Sequence, residues 1–345
     1  MSRATIACAA LAFSVSMLPS ARAERPLNRI VATIPVGSNP SGVVVSPDSS
    51  TVYVANNGGP GTISVIYAAS NTVKFVISTD FGPTGLAISP DGSTLYALCV
   101  ANSVVDVIST VTQTVTSQID LRPPNAGAST GQITLSPDGS QLYYPDGDVI
   151  LVIDTSTQSI STINFGDNLA SQVVFTAKGA KAYVVAYQGA VVLSLVDTAS
   201  QSLVSTQKIG GNQSAGIVIN PAAGRLYVSS SERENGKIVC KITTVDAATA
   251  EVLSSNVLQA HVWDNGLSLT TDGKFLYVEG VPKKGVQKFY TVDTATGEQV
   301  CDPLTLPGVT DYPVAMAPNG KRGYIVRDLG SSTNGVVTVI ALREK

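Results

Sequence analysis

Histidine and tryptophan occur once each in these 345 residues, and charged side chains make up only 14% of them. A lone imidazole, that of His261, cannot assemble the multi-histidine sites that zinc or copper usually take. A Ser-His-Asp triad would have to use the same residue, and no G-x-S-x-G elbow accompanies it. There is no C-x-x-C pair and no D-x-D-x-D-G loop. The usual thiolate and EF-hand-type patterns are therefore missing, although calcium held by scattered carboxylates and carbonyls is not excluded. The cysteines number four, one of them (Cys8) near the N-terminus, which leaves Cys99, Cys240 and Cys301 in the body of the chain.

Long apolar runs are equally scarce. Ala4–Leu18 is the only one, preceded by Arg3 and followed by Pro19, Ser20 and an A-x-A site at Ala21-Arg22-Ala23. At 15 residues it is short for a membrane span, which needs about 20. The pattern reads as a signal peptide over 1–23, cleaved before Glu24, with no membrane span after it. The expected mature protein, 24–345, is exported to the periplasm or secreted. Without Arg3 and Arg22 it carries 20 basic and 25 acidic side chains, a net charge of −5. Such a charge-poor, acidic chain lacks the basic footprint of a nucleic-acid binder.

What the chain does have is a repeat. Tyr53, Tyr96, Tyr143, Tyr183, Tyr227, Tyr277 and Tyr324 are separated by 43, 47, 40, 44, 50 and 47 residues. Each follows a turn phrase: Ser-Pro-Asp-Ser at 46–49, Ser-Pro-Asp-Gly at 89–92 and 136–139, then the decayed copies at 176–179, 220–223, 270–273 and 317–320. Proline presets φ, aspartate bonds its own backbone and glycine accepts positive φ, so each phrase is a tight turn between strands. A period in the forties built from short strands is the mark of propeller blades. The second repeat predicts an inner strand at 85–88, then strands at 94–99, 104–108 and 114–119. Arg29–Pro35 reads as an outer strand with no blade before it, and Val336–Leu342 as a third strand with no fourth after it. Pairing the two predicts an all-β, seven-bladed β-propeller with four antiparallel strands per blade, its N-terminal strand closing the last one.

Several repeated residues look chemical but are read as structural. Asp154, Asp197, Asp246 and Asp293 each stand just before a strand-to-strand turn, where aspartate is a turn former. The seven tyrosines sit at an inter-blade packing position, and Cys99 ends an apolar strand as a small core residue. A Cys240–Cys301 bridge stays open.

The phrases 40–48 (PSGVVVSPD), 52–56 (VYVAN) and 82–92 (GPTGLAISPDG) resemble the YVTN-type β-propeller repeat of exported bacterial and archaeal proteins. The resemblance is strongest in the first three repeats. It implies scaffolds, lactonases or propeller subunits of quinone-cofactor dehydrogenases. The His and Glu/Arg clusters expected of propeller lactonases find no clear match here.

Candidate contact residues follow from topology, because propellers receive ligands around the channel. The loops leading into the inner strands carry Ser41, Thr84, Thr130-Gly131-Gln132, Ser171-Gln172, Gln213-Ser214, His261-Val262-Trp263-Asp264-Asn265 and Asp311-Tyr312. In one reading His261 is a general base oriented by Asp264, with Trp263 as a stacking wall. In the other, which a single histidine favours, Trp263 plugs the channel mouth and His261 makes a structural hydrogen bond. Charged stretches at 231–236, 281–285 and 327–330, the last containing Arg327, are expected on the same side. The sequence thus points to a non-catalytic platform, built from Gln132, Gln172, Gln213, His261, Trp263, Asp264, Asn265, Asp311, Tyr312 and Arg327. It would meet an envelope protein, a peptide or a small polar ligand, and calls for no cofactor. An enzyme or enzyme subunit using His261 is the alternative.

Overall fold

The computed structural model describes residues 28–121, 132–211, 216–234, 236–258, 266–283, 286–307, 314–329 and 335–342. They form seven four-stranded antiparallel sheets. After β1 (Arg29–Pro35), blade one is β2 (Pro40–Val45), β3 (Thr51–Asn56), β4 (Thr62–Tyr67) and β5 (Thr72–Ser78). Blade two is β6 (Pro83–Ile88), β7 (Thr94–Cys99), β8 (Val104–Ser109) and β9 (Thr114–Asp120). Blade three is β10 (Thr134–Leu135), β11 (Gln141–Asp146), β12 (Val149–Asp154) and β13 (Ile160–Asn164). Blade four is β14 (Leu169–Phe175), β15 (Lys181–Tyr187), β16 (Val191–Asp197) and β17 (Ser202–Gly210). Blade five is β18 (Ile217–Asn220), β19 (Arg225–Glu234), β20 (Lys237–Asp246) and β21 (Val252–Leu258). Blade six is β22 (Leu267–Leu269), β23 (Phe275–Lys283), β24 (Val286–Asp293) and β25 (Leu304–Pro307). Blade seven is β26 (Ala315–Met316), β27 (Arg322–Asp328) and β28 (Gly335–Ala341), completed by β1.

The ring closes as the termini predict. β1 lies antiparallel to β28, with Arg29 opposite Ala341 and Pro35 opposite Val336. Ile34 and Val36 enter the core beside Tyr324, Val337 and Val339. In every blade the meander runs from the channel outward. The sheet-to-sheet connections and the hairpins between second and third strands therefore open on one end of the ring, the rim face. The phrase turns and the third-to-fourth turns lie on the other, the turn face.

Local chemistry makes these turns. Ser46 Oγ donates to Asp48 (2.5 Å) while accepting the Thr51 N–H (2.9 Å), and Asp48 accepts the Ser50 N–H (3.0 Å). Blades two and three repeat the set at Asp91 and Asp138. The Ser89 hydroxyl and Ser93 N–H hold the Asp91 carboxyl down at about 2. The third-to-fourth turns are Asx turns: Asp154, Asp246 and Asp293 each accept two following backbone N–H groups, and Asp197 accepts that of Ser200. All four aspartates are thus committed to structure.

The core is a set of inter-blade interfaces. Tyr53 packs with Leu95 and Ala97 of the next blade, and Tyr183 with Leu226 and Val228. Burial pushes the phenols of Tyr53, Tyr96, Tyr143, Tyr183, Tyr277 and Tyr324 above the usual tyrosine range. Polar side chains also bridge neighbouring blades on the turn face, which the sequence did not announce. Gln158 donates to Ser117 (3.1 Å), Ser161 to Gln201 (2.5 Å), Gln207 to the Ala250 carbonyl (2.5 Å) and Arg322 to Asn71 (2.9 Å). Gln158, Gln201, Ala250 and Asn71 occupy one left-handed position (φ 50° to 65°) that ends the third-to-fourth turn. Asn28 (φ 47°) takes that place in blade seven, donating to Thr291 Oγ1 (2.8 Å) and accepting from the Tyr277 hydroxyl.

Candidate functional site

The inner strands each pair on one side only, so their free edges and alternate side chains line a central channel. It contains two cavity lobes of about 120 and 310 Å³ that meet at Gln132 and Val314. Gly42, Thr84, Leu86 and Ile133 border the smaller, and Gln172, Ile217, Leu267 and Met316 the larger. Among the described residues, neither lining includes an ionisable side chain. What these walls do offer is the hydroxyls of Thr84 and Ser268 and the amides of Gln132 and Gln172, set among apolar side chains.

Of the sequence-predicted contact residues, Gln132 and Gln172 come together. Gln172 Nε2 donates to Gln132 Oε1 (3.2 Å), and its Oε1 accepts the Ile217 N–H (2.9 Å). One amide chain thereby ties blades three, four and five at the channel mouth. The Gln132 amide nitrogen is left as a donor beside both lobes. Ser41 Oγ likewise ties blade one to the Pro83 carbonyl of blade two (2.7 Å). Gly42 has to be glycine there, because a Cβ would lie 2.4 Å from the Thr84 carbonyl oxygen. Gln213, His261, Trp263, Asp264, Asn265, Asp311 and Tyr312 lie outside the described residues.

Arg327 is placed differently from its sequence expectation. The charged stretch at 327–330 begins inside β27, because β28 pairs with that strand as far as Asp328. Arg327 is therefore only 5% exposed. Its Nε donates to Thr338 Oγ1 (2.8 Å) and its Nη1 to the Pro307 carbonyl, tying blade seven to blade six. Desolvation lowers the guanidinium pKa. Contact with an incoming partner is not open to it from the surface. The stretch at 231–236 is also mostly strand: β19 runs to Glu234, Ser231 is buried, and Lys241 pairs with Glu232 at 3.4 Å. The paired strands of blade five thus run to Glu234 and Lys237, further than those of blade four, which end at Tyr187 and Val191.

Three residues beyond each repeat tyrosine, the second strand reaches the underside of the rim. Five of those seven positions hold a buried polar or thiol side chain: Asn56, Cys99, Asp146, Ser230 and Arg327. The pattern was in the sequence, but only sheet geometry shows that one interval lands at one height. Next to these, a position on the third strand carries Ser64, Asp106, Ser194, Thr243 and Thr338, all buried. Asp106, fully buried, accepts the Asp80 N–H (2.8 Å), the Gln118 amide (2.7 Å) and the Cys99 thiol (3.7 Å). Burial, then the Asp106 charge, pushes the Cys99 thiol far up, so it is no nucleophile. Cys240, also fully buried, is pushed up to about 12. All three body cysteines are free, so Cys240 and Cys301 are not bridged.

Two further buried carboxylates, like Asp106, went unnoticed in the sequence. Glu279, 3% exposed, accepts from Gln287 and fits where Gly266 has no Cβ, at the end of the segment bearing His261 and Trp263. Asp146, also 3% exposed, has a buried Oδ2 with no hydrogen-bond partner among the described residues. Burial, with a smaller contribution from Asp148, raises its pKa. A carboxyl raised on folding costs no stability below its unfolded pKa of about 3.9. The penalty grows as pH rises through the folded value. Asp146→Asn should therefore raise the melting temperature at pH 7, and the gain should vanish near pH 3. Thermal melts of both proteins across that range check it.

No family model and no curated protein sequence matches the chain. Among solved structures, a chain of Kuenenia stuttgartiensis hydrazine synthase is similar, with TM-score 0.73 and 20% identity over 88% of this chain and 96% of that one. The β-propeller domain of Myceliophteria thermophila Cps50 (Swd1) is similar with TM-score 0.71 and 13% identity, covering 91% and 99%. At such identities the likeness shows the fold. No helix among the described residues is long and apolar enough to cross a membrane.

Proposed function

We propose that this is an exported, non-catalytic propeller of the YVTN-repeat type that holds a protein, peptide or small polar envelope ligand on its rim face. The observation that carries the reading is the amide chain at the channel mouth, where Gln132 and Gln172 are fixed by each other and by the Ile217 N–H. Donors and acceptors held in place, above a channel with apolar walls, favour recognition without bond breaking. The signal-like start over residues 1–23 supports export. His261, Trp263, Asp264 and Asn265, which precede blade six in the sequence, are proposed as further members of the platform. The likeness to a hydrazine synthase chain motivates a second reading, an enzyme or enzyme subunit whose one imidazole is His261.

The test is a pull-down from envelope extract. Residues 24–345 are compared with a Gln132→Ala/Trp263→Ala/Asp264→Ala variant of matched melting temperature. A stoichiometric component held by the first and lost by the second supports the platform. Equal retention by both, or none by either, counts against it. Turnover of a lactone panel that disappears in His261→Gln would replace it with the enzyme reading.

A further inference from the structure

The interface between blades five and six departs from its neighbours on the turn face. At the corresponding place in blades four and five, Gln207 crosses to the Ala250 carbonyl and the Tyr183 hydroxyl donates to that of Ala247 (3.1 Å). One blade further on, Asn256 replaces Gln207, Tyr227 replaces Tyr183 and Gly297 replaces Ala250. Asparagine is one methylene shorter than glutamine, and no bond from it to the Gly297 carbonyl is formed. Asn256 packs into the space that a Cβ on Gly297 would take, its amide nitrogen 1.9 Å from that position. Among the described residues neither the Asn256 amide nor the Tyr227 hydroxyl has a hydrogen-bond partner, although Tyr227 is only 2% exposed. What remains is a cavity of about 180 Å³.

Its chemistry is one-sided. Ile242, Leu276 and Val292 form an apolar floor, while Arg225, Tyr227 and Asn256 present donors around it. The Asp293 carboxylate, also at the wall, already accepts the Ala295 and Thr296 N–H groups (2.8 and 3.0 Å). At about 180 Å³ the cavity, open on one side, has room for a benzene-sized body, which needs about 150 Å³. A guanidinium is the natural receiver of a carboxylate.

We propose that this cavity is a second binding site, separate from the rim, for a compact organic acid. Its ring or short chain covers the apolar floor, and its carboxylate meets Arg225, with the Tyr227 hydroxyl and Asn256 amide as further donors. The site lies on the opposite face from the platform, so the two stand or fall separately.

Benzoate is the probe, with benzyl alcohol as its uncharged twin, each titrated into the full mature chain by calorimetry and ligand-observed NMR. Benzoate is expected to bind in the low-millimolar range, as suits so small a ligand. Arg225→Gln, at an exposed position, should weaken benzoate about tenfold and leave benzyl alcohol unchanged. Tyr227→Phe should weaken benzoate about fivefold. Asn256→Gln restores the side chain that crosses one interface earlier, and should abolish binding of both while preserving or raising the melting temperature. Absence of benzoate binding, equal binding of the two probes, or binding that survives Asn256→Gln overturns the proposal.

Discussion

Deleting residues 1–36 is expected to abolish the cooperative unfolding transition and leave an aggregating chain. β1 is the outer strand of blade seven, and every other strand among the described residues already has its place in a blade. Its loss removes Ile34 and Val36 from the core and uncovers Val337 and Val339, which are fully buried. Each apolar side chain so exposed costs about 2 kcal/mol. Total stability is about 5–15 kcal/mol, so a few such losses approach all of it. The deletion also bares the edge of β28, whose Val336-Val337-Thr338-Val339-Ile340 run is a template for pairing with other chains. A permutant tests whether strand or connectivity matters. Arg29 lies opposite Ala341, so β1 can be moved behind β28 through a short hairpin. That protein should melt as wild type does, while the deletion should elute as soluble aggregate or fail to melt cooperatively. A cooperative, monomeric deletion variant would show that the latch contributes little.

Asp106→Ala should be the most damaging single substitution under the rim. The carboxylate is fully buried and receives a backbone N–H, an amide and a thiol. Its removal takes the acceptor from the part-buried Asp80 N–H and the buried Cys99 thiol, whereas the exposed Gln118 amide keeps its bond to Asp80 Oδ2 (3.3 Å), and an unmet buried donor costs more than its bond contributed. We expect a loss of about 3 kcal/mol. At about 2.1 cal/mol/K of unfolding entropy per residue, a chain of this size would show a melting-temperature drop of roughly 4–5 °C. An Asp106→Leu/Gln118→Leu pair should lose less than its two single substitutions combined, because their shared bond is then lost only once. Additive losses in that cycle would mean that the two side chains are not coupled.

The sequence by itself determined the blade count, the strands and the closure, because each depends on local signals recurring at one period. Ser-Pro-Asp-Gly fixes a turn wherever it stands, and alternating apolar residues beside a tyrosine make a strand in any propeller. The Asx role of Asp154, Asp197, Asp246 and Asp293 was legible for the same reason, since an aspartate before a turn bonds within three residues of itself. Candidate contacts were legible only as loops of the right rank. Gln132 and Gln172 are 40 residues apart, and nothing local reveals that one amide orients the other. Arg327 shows the opposite failure, a charge read as surface because its sequence neighbours are polar. The pairing of β27 with β28 carries it inward to Thr338 and Pro307. The same holds for Asp106, Asp146 and Glu279, and for the cavity beneath Asn256. Whether a polar side chain is buried, and what it meets there, is set by the neighbouring blade. That contact is absent from the periodicity because each blade brings a different residue to the same height.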